Sequence, residues 1–378
     1  MKDIRYIGVN DHAIDLFEGQ YRVKNGMSYN SYVILDEKIA VLDTADARFG
    51  DEWLRNAEDA LQGRAPDYLI VQHMEPDHSA NIDRFAARWP EAKIVASARA
   101  FAMMKQFFGT DFADRQVVAG DGSALSLGAH TLRFIAAPMV HWPEVVMTYD
   151  ETEKVLFSAD AFGKFGALDR EEPWDDEARR YYIGIVGKYG AQVLPVLQKA
   201  SALDIRAICP LHGPVLAQEI PHCVALYSRW ASYQPEEEGV VIAYASVYGH
   251  TRAAAEKLQK RLEEKGRRAA LYDLARCDMA EAVADAFRYD RLVLASVTYN
   301  GELFPPMRAF LDALLERGFQ NRTVAFIENG TWAPMAAKKM RQALEGAKNL
   351  TLLDGDVRIR SALDSASDAA LQALANAL

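Results

Sequence analysis

The chain has 378 residues, half of them hydrophobic and a quarter charged, with 43 Lys plus Arg against 53 Asp plus Glu and a net charge of −10. At ~150 residues per domain that length calls for two or three domains; the composition excludes a disordered chain, and the acidic balance excludes the footprint of a nucleic-acid binder. No apolar run approaches the ~20 residues that span a bilayer, and Met1-Lys2-Asp3-Ile4-Arg5 lacks a signal-peptide apolar region, so no membrane contact and a cytoplasmic location are expected. The three cysteines, Cys209, Cys223 and Cys277, form no CxxC pair and no disulfide framework.

In chain order, period-two alternation predicts strands at Ser31 to Leu35 and Lys38 to Leu42, followed by a helix at Asp51 to Gln62. The apolar run Tyr68 to Val71 predicts a buried strand, and Gln72-His73-Met74-Glu75-Pro76-Asp77-His78 follows it directly. Pro76 biases Glu75 toward extended backbone, so an irregular loop is expected there, with Ser79 starting the next helix. Further strand-like runs end in His141, Asp160 and His212, and a helix is predicted over Asp176 to Ala202. Tyr233 to Gly239 is a polar seam bounded by Pro235 and Gly239, which divides the chain into expected domains 1–236 and 239–378. Beyond it, strand-like runs at Val240 to Ala245, Ala269 to Tyr272, Arg291 to Ser296, Thr323 to Glu328 and Leu350 to Leu353 alternate with helical patterns. The clearest helix, Arg252 to Lys265, is closed by Gly266. Five such alternations predict a doubly wound parallel sheet with its ligand at the carboxyl ends of the strands. The mixed first part predicts an α/β or α+β sandwich.

His73, Glu75, Asp77 and His78 place two imidazoles and two carboxylates side by side behind an apolar strand. Packing rarely accounts for such a cluster, and these are metal-ligand types. Alone, His141, Asp160 or His212 would more often be a cap or a hydrogen-bonded loop residue; together with the cluster they form a seven-residue candidate site. His12, His130 and His222 stand apart and are read as structural.

The spacing His73-x-Glu75-x-Asp77-His78, with later His141, Asp160 and His212, resembles the metallo-β-lactamase superfamily. Glu75 stands where its zinc hydrolases carry a second histidine, and a carboxylate there suits iron better than zinc. This variant resembles the flavodiiron proteins, also called A-type flavoproteins. The resemblance implies that His73, Glu75 and His141 bind one iron, that Asp77, His78 and His212 bind the other, and that Asp160 bridges them. It also implies the fold: an N-terminal metallo-β-lactamase-like αββα sandwich followed by a flavodoxin-like doubly wound five-stranded parallel sheet.

A flavodiiron protein also requires an FMN module, and the second part supplies candidate loops at three strand ends. Ser246-Val247-Tyr248-Gly249-His250-Thr251 leads into a helix whose N-terminal N–H groups and dipole suit a phosphate. Tyr248 departs from the small hydroxyl residue usual in flavodoxins, and His250 is expected to contribute its backbone. Ser296-Val297-Thr298-Tyr299-Asn300-Gly301 and Asn329-Gly330-Thr331-Trp332 resemble flavin-ring loops.

By this resemblance the protein is an FMN- and diiron-dependent oxidoreductase that takes dioxygen to water and/or nitric oxide to nitrous oxide. It implies a head-to-tail homodimer or a dimer of such dimers. A separate electron donor is expected, either rubredoxin or a reduced flavin or deazaflavin system, because the chain ends soon after the fifth flavodoxin-like strand. Two other readings are a two-metal hydrolase with a flavodoxin-like regulatory domain, against which Glu75 argues, and an electron carrier with a relic first domain, against which seven intact ligands argue.

Overall fold

The computed structural model describes residues 3–378 and divides into two units, one ending at Ser228 and the other running from Arg229 to Leu378. The division falls inside the helix Ile220–Ala231, upstream of the polar seam. Among the described residues no helix is long and apolar enough to cross a membrane.

The first unit is built on two sheets. One runs in the order Ile4–Tyr6, Tyr32–Ile34, Ala40–Leu42, Tyr68–Val71, Lys93–Ala96, Gln116–Val118, and the other Ala124–Ser126, Thr131–Ala136, Val146–Asp150, Val155–Phe157, Ala207–Cys209. Alternate residues of both, including Ile34, Leu42, Ile70 and Val95 from one and Leu132, Phe134, Val146 and Phe157 from the other, interlock in one core. Strands 40–42, 68–71 and 93–96 run parallel, as do 155–157 and 207–209. The loops after 68–71, 155–157 and 207–209 hold six of the metal-ligand candidates, and the loop after the antiparallel strand Thr131–Ala136 holds the seventh, His141.

Two local expectations need correction. The helix after the strand Tyr68–Val71 starts at Pro76, not Ser79: Pro76–Ser79 is a short helix with proline in its first turn, so Asp77 and His78 sit on helical backbone. The Ser79 hydroxyl donates back to Met74 O at 2.8 Å. The helix expected over Asp176 to Ala202 is interrupted. Trp174–Tyr181 and Gly190–Ser201 are α-helical, separated by a π turn at Tyr182–Val186 and a 3₁₀ turn at Gly187–Tyr189. Gly184 lies in that break, where a Cβ would come within 2.8 Å of the Tyr21 ring.

The second unit is a parallel sheet in the order 2-1-3-4-5: Ala269–Asp273, Glu237–Ala245, Tyr289–Tyr299, Thr323–Asn329, and a fifth position shared by Thr351–Leu352 and Val357–Ile359. The fifth strand is therefore two pieces, not the single Leu350 to Leu353 run, with Gly355 at φ +82° in the turn between them. Val240, Ile242, Val293 and Ile327 pack against Leu258 and Leu262 of the helix His250–Glu264 and against Leu371 and Leu374 of the helix Ser365–Ala377. This strand order places ligand loops at the carboxyl ends around the first strand.

Candidate metal centre and flavin cavity

Backbone architecture fixes the His73–His78 segment before any metal is considered. Asp43, at the end of the strand Ala40–Leu42 and fully buried, accepts hydrogen bonds from Gln72 N and Gln72 Nε2, both at 2.8 Å, and from His73 N at 3.4 Å. Burial pushes its carboxyl up to about 6 despite those donors. Thr44 N and Oγ1 donate to His78 O at 2.8 and 2.7 Å, tying down the end of the short helix.

The seven candidate ligands converge in two groups. The donor atoms of His73, Glu75, His141 and Asp160 all lie within 4.8 Å of one another, and so do those of Asp77, His78 and His212. His141 Nε2 is 3.0 Å from both Glu75 Oε2 and Asp160 Oδ2, and His73 Nε2 is 3.2 and 3.3 Å from the same two oxygens. His78 Nε2 is 3.0 Å from His212 Nε2 and 3.3 Å from Asp77 Oδ2. Asp160 thus turns Oδ2 toward the first group, while its Oδ1 lies 3.3 Å from His78 Nε2 and 3.7 Å from His212 Nε2 in the second.

Outer partners set two imidazole tautomers. His73 Nδ1 meets Glu144 Oε1 at 2.8 Å, and the same oxygen accepts from Met74 N at 2.8 Å. His212 Nδ1 donates to Ser28 O at 2.7 Å. With Nδ1–H committed in each ring, the Nε2 lone pair points into the site, the arrangement a metal requires. Aromatic rings wall it: Phe17 and Tyr181 each lie 5.4 Å from His212 between centroids, and Trp142 lies 5.3 Å from His73.

The donor set fits bound cations. Both oxygens of Asp77 and Asp160 Oδ1 are buried and accept no hydrogen bond, a costly state for carboxylates unless a cation satisfies them. Without a cation, protons take its place. Burial alone would push His73, His78 and His141 down, yet the surrounding carboxylates raise all three, His141 to about 9 through Asp160 and Glu75. Asp160 and Glu75 are held low by the same imidazoles despite burial. Two imidazoles and one carboxylate in each group, with the carboxylate of Asp160 turned toward both, suit a borderline-hard metal such as iron.

The histidines set apart in the sequence also stay apart in the fold. His130 is buried against Asp150, with Nδ1 2.7 Å from Oδ2. His12 and His222 are exposed and lie beside Asp169 and Asp175, at 3.2 and 2.9 Å.

In the second unit a cavity of about 850 Å³ opens at the carboxyl ends of the sheet, lined by the loops 246–251, 297–301 and 329–333 and by Ser361. Two expected lining residues fall outside it. Ser296 is fully buried and donates to Val297 O at 3.1 Å, whereas Gly249, at φ +92°, caps the helix His250–Glu264 and donates its N–H to Ser246 Oγ at 3.1 Å. Thr298 lines the cavity, but its Oγ1 is already occupied by Met335 N and Ala336 N at 2.9 and 3.1 Å, capping the next helix. Asn329 clamps Ser361 through both backbone groups, at 3.0 and 3.1 Å. The rim carries exposed rings, Tyr248 at 92 % and Trp332 at 81 %. Open N–H groups at a helix start, small polar residues and aromatic rims fit a flavin mononucleotide, with its phosphate at the 246–251 turn.

Sequence reasoning missed Asp43, Glu144, Ser28 and Ser361, which act through space and carry no spacing signal. It also missed Glu18, at the tip of the hairpin Leu16–Phe17/Tyr21–Arg22. Burial together with the neighbouring charge of Glu75 pushes the Glu18 carboxyl up to about 7.

Comparison with known proteins follows the same two-part division. Residues 27–213 match the ODP family beta lactamase and residues 241–361 match the flavodoxin domain. The anaerobic nitric oxide reductase flavorubredoxin of Escherichia coli O1:K1 is 28 % identical over 360 residues, covering 91 % of this chain and 74 % of the relative. An uncharacterized protein of Methanocaldococcus jannaschii is 28 % identical over 347 residues, covering 90 % of this chain and 87 % of the relative. Among solved structures, rubredoxin oxygen:oxidoreductase from Desulfovibrio gigas shares the fold with a TM-score of 0.93 at 24 % identity, over 100 % of this chain and 96 % of that one. The flavodiiron protein from Giardia intestinalis does so at 0.89 and 24 %, over 100 % and 94 %. With a β-lactamase-like domain and a flavodoxin domain in that order along most of its length, the chain belongs to the flavodiiron protein family.

Proposed function

We propose that this protein is an oxidoreductase that reduces dioxygen to water and/or nitric oxide to nitrous oxide at a non-haem iron pair, with electrons relayed through FMN. The observation that carries the reading is Asp160, whose Oδ2 faces His73 and His141 while Oδ1 faces His78 and His212. One carboxylate aimed at two donor groups is the arrangement that lets two cations sit close. In this reading His73, Glu75 and His141 hold one iron, Asp77, His78 and His212 hold the other, and Asp160 joins them. The cavity of the second unit holds FMN through loops 246–251, 297–301 and 329–332, and the metal-binding and FMN-binding domains span 1–236 and 239–378.

Two ferrous ions and a reduced FMN together supply four electrons, enough to take dioxygen to two waters, and two of those electrons suffice to turn two nitric oxide molecules into nitrous oxide and water. The chain's own groups do the rest. Glu144 and Ser28 O keep the imidazole lone pairs of His73 and His212 aimed inward. Phe17, Trp142 and Tyr181 limit water around the reacting gas.

The exposed Tyr248 and Trp332 rings at the flavin rim favour cover by a second copy, in a head-to-tail homodimer or a dimer of such dimers. We assign the electron supply to a separate donor, rubredoxin or a reduced flavin or deazaflavin system, and the location to the cytoplasm. Metal and flavin content tests the reading: iron-supplemented protein should hold two irons and one FMN per chain. Preferential zinc binding with ester or thioester hydrolysis would replace it with a two-metal hydrolase.

A further inference from the structure

The fourth and fifth strands of the second unit are joined at the flavin cavity. Asn329 pairs with Ile359 across the sheet, and Gly330 N donates to Ile359 O at 3.1 Å. The Asn329 amide holds Ser361 from both sides, Nδ2 donating to Ser361 O at 3.0 Å and Oδ1 accepting from Ser361 N at 3.1 Å. Ser361 itself stands at φ +69°. That left-handed backbone normally falls to glycine or asparagine; in other residues it persists where the surroundings enforce it, and such positions gather at ligand sites. The backbone clamp alone joins the two loops, yet a further contact sits beside it. Ser361 Oγ and Thr331 Oγ1 are 2.8 Å apart, and both residues line the cavity. Thr331 is exposed, so a bond between hydroxyls there competes with water and contributes little to the fold. Two hydroxyls carry two hydrogens, and their mutual bond uses one. The second O–H has no partner among the described residues.

We propose that Ser361 is a positioning residue of the flavin site: its hydroxyl donates to Thr331 Oγ1 and so turns the Thr331 O–H toward the polar, carbonyl-bearing edge of the flavin ring. This rests on the FMN reading and deepens it. Along the sheet the cavity loops follow the strands in the order first, third, fourth, fifth. With the phosphate at the turn after the first strand, the loops after the fourth and fifth meet the ring end of the cofactor. A hydroxyl that accepts one hydrogen bond is the stronger donor of the next. Flavin carbonyls accept in both oxidation states, but two electrons and one proton convert the neutral ring to an anion whose charge spreads onto that edge. The same O–H therefore bonds the reduced ring more strongly than the oxidised one, and it keeps its own proton throughout. Its effect is to favour the reduced flavin and raise the reduction potential.

The test compares the full FMN-loaded wild-type chain with Thr331→Val, which keeps shape and loses the donor, Ser361→Ala, which loses the hydroxyl that aligns it, and Thr331→Ser, which keeps the donor. Affinity for oxidised FMN is titrated on the flavin-free proteins by fluorescence. The two-electron midpoint potential is read from flavin absorbance in an anaerobic dithionite titration against a reference dye, and melting of the flavin-free proteins controls for the fold. T331V should bind reduced FMN about tenfold more weakly relative to oxidised FMN, which lowers the potential by about 30 mV for a two-electron couple. S361A should shift the potential the same way by less, T331S should keep the wild-type potential, and all should melt within a few degrees of one another. A T331V potential equal to that of wild type overturns the role of the hydroxyl. So does an equal loss of affinity for both oxidation states, the mark of a merely structural contact. A wild-type potential in S361A overturns positioning by Ser361. A wild-type chain that binds no FMN overturns the FMN reading itself, and this inference with it.

Discussion

Glu144 never touches a candidate metal position, yet the structure makes it decisive for one ligand. Its Oε1 accepts from both His73 Nδ1 and Met74 N at 2.8 Å in a buried setting. Glu144→Ala strands two buried donors, each costing about 1–3 kcal/mol, so the metal-free fold should lose about 2–6 kcal/mol. For a domain of this size that is a drop in melting temperature of about 5–20 °C. Glu144→Gln keeps an oxygen for the same donors but replaces a charge-assisted bond with a neutral one, a change of about 1 kcal/mol in the fold. Its effect should fall on the metal instead, because the carboxylate fixes the His73 tautomer and raises the ring's basicity; loss of such a partner typically costs 10–100-fold in affinity. Competition with an iron chelator, paired with thermal melting of the metal-free proteins, separates the two effects. E144Q should melt within a few degrees of wild type and bind iron about 10–100-fold more weakly. An E144Q protein whose iron affinity lies within twofold of wild type would refute the argument that Glu144 sets the ligand geometry of His73.

Three other outcomes follow from the geometry and the charge balance. Thr298→Ala removes the hydroxyl that caps Met335 N and Ala336 N, so it should cost about 1 kcal/mol of stability and weaken FMN binding several-fold by loosening the loop after Asn329, measurable by flavin fluorescence on release. Iron binding should release protons and tighten as pH rises toward about 9, because the metal-free site holds His141 protonated up to about 9; its sign is that of a raised pKa, a contribution to the metal-free fold present below the ordinary histidine value and lost as pH climbs through about 9. Potentiometric titration of iron uptake checks this, and pH-independent affinity between neutral pH and that point would contradict it. Burial pushes Cys209 and Cys223 up to about 12 and Cys277 to about 11, so a thiol reagent at mildly alkaline pH should label the native protein far more slowly than the unfolded chain.

The metal cluster was legible because four candidate ligands crowd into six residues directly behind the apolar run Tyr68–Val71. His141, Asp160 and His212 were legible through their common place after strands. Asp43, Glu144 and Ser28 were not, since each meets its partner across the fold and nothing in local spacing announces it. The short helix at Pro76 was misread because a proline after an extended residue marks a loop as readily as a first helical turn. The interrupted helix after Trp174 carried a visible signal in Gly184, Gly187 and Gly190, spaced at three, which an apolar periodicity argument overrides. In the second unit the doubly wound parallel sheet followed from the alternation of runs, whereas the split fifth strand depends on the turn at Gly355. Ser296 and Gly249 were assigned to the flavin through the resemblance of their loops; in the structure Ser296 is buried and bonds to Val297 O, and Gly249 donates to Ser246 Oγ.

Iron and FMN acting together on one gas are what the proposed function requires. The most direct measurement loads the protein with iron and FMN, reduces it without oxygen, and delivers separate pulses of dioxygen and nitric oxide while following flavin absorbance and products. Reoxidation of the flavin with four electrons per dioxygen and no released peroxide, or nitrous oxide formed from two nitric oxide molecules, is the predicted result. A fully loaded, fully reduced protein that leaves both gases unconsumed would contradict the account.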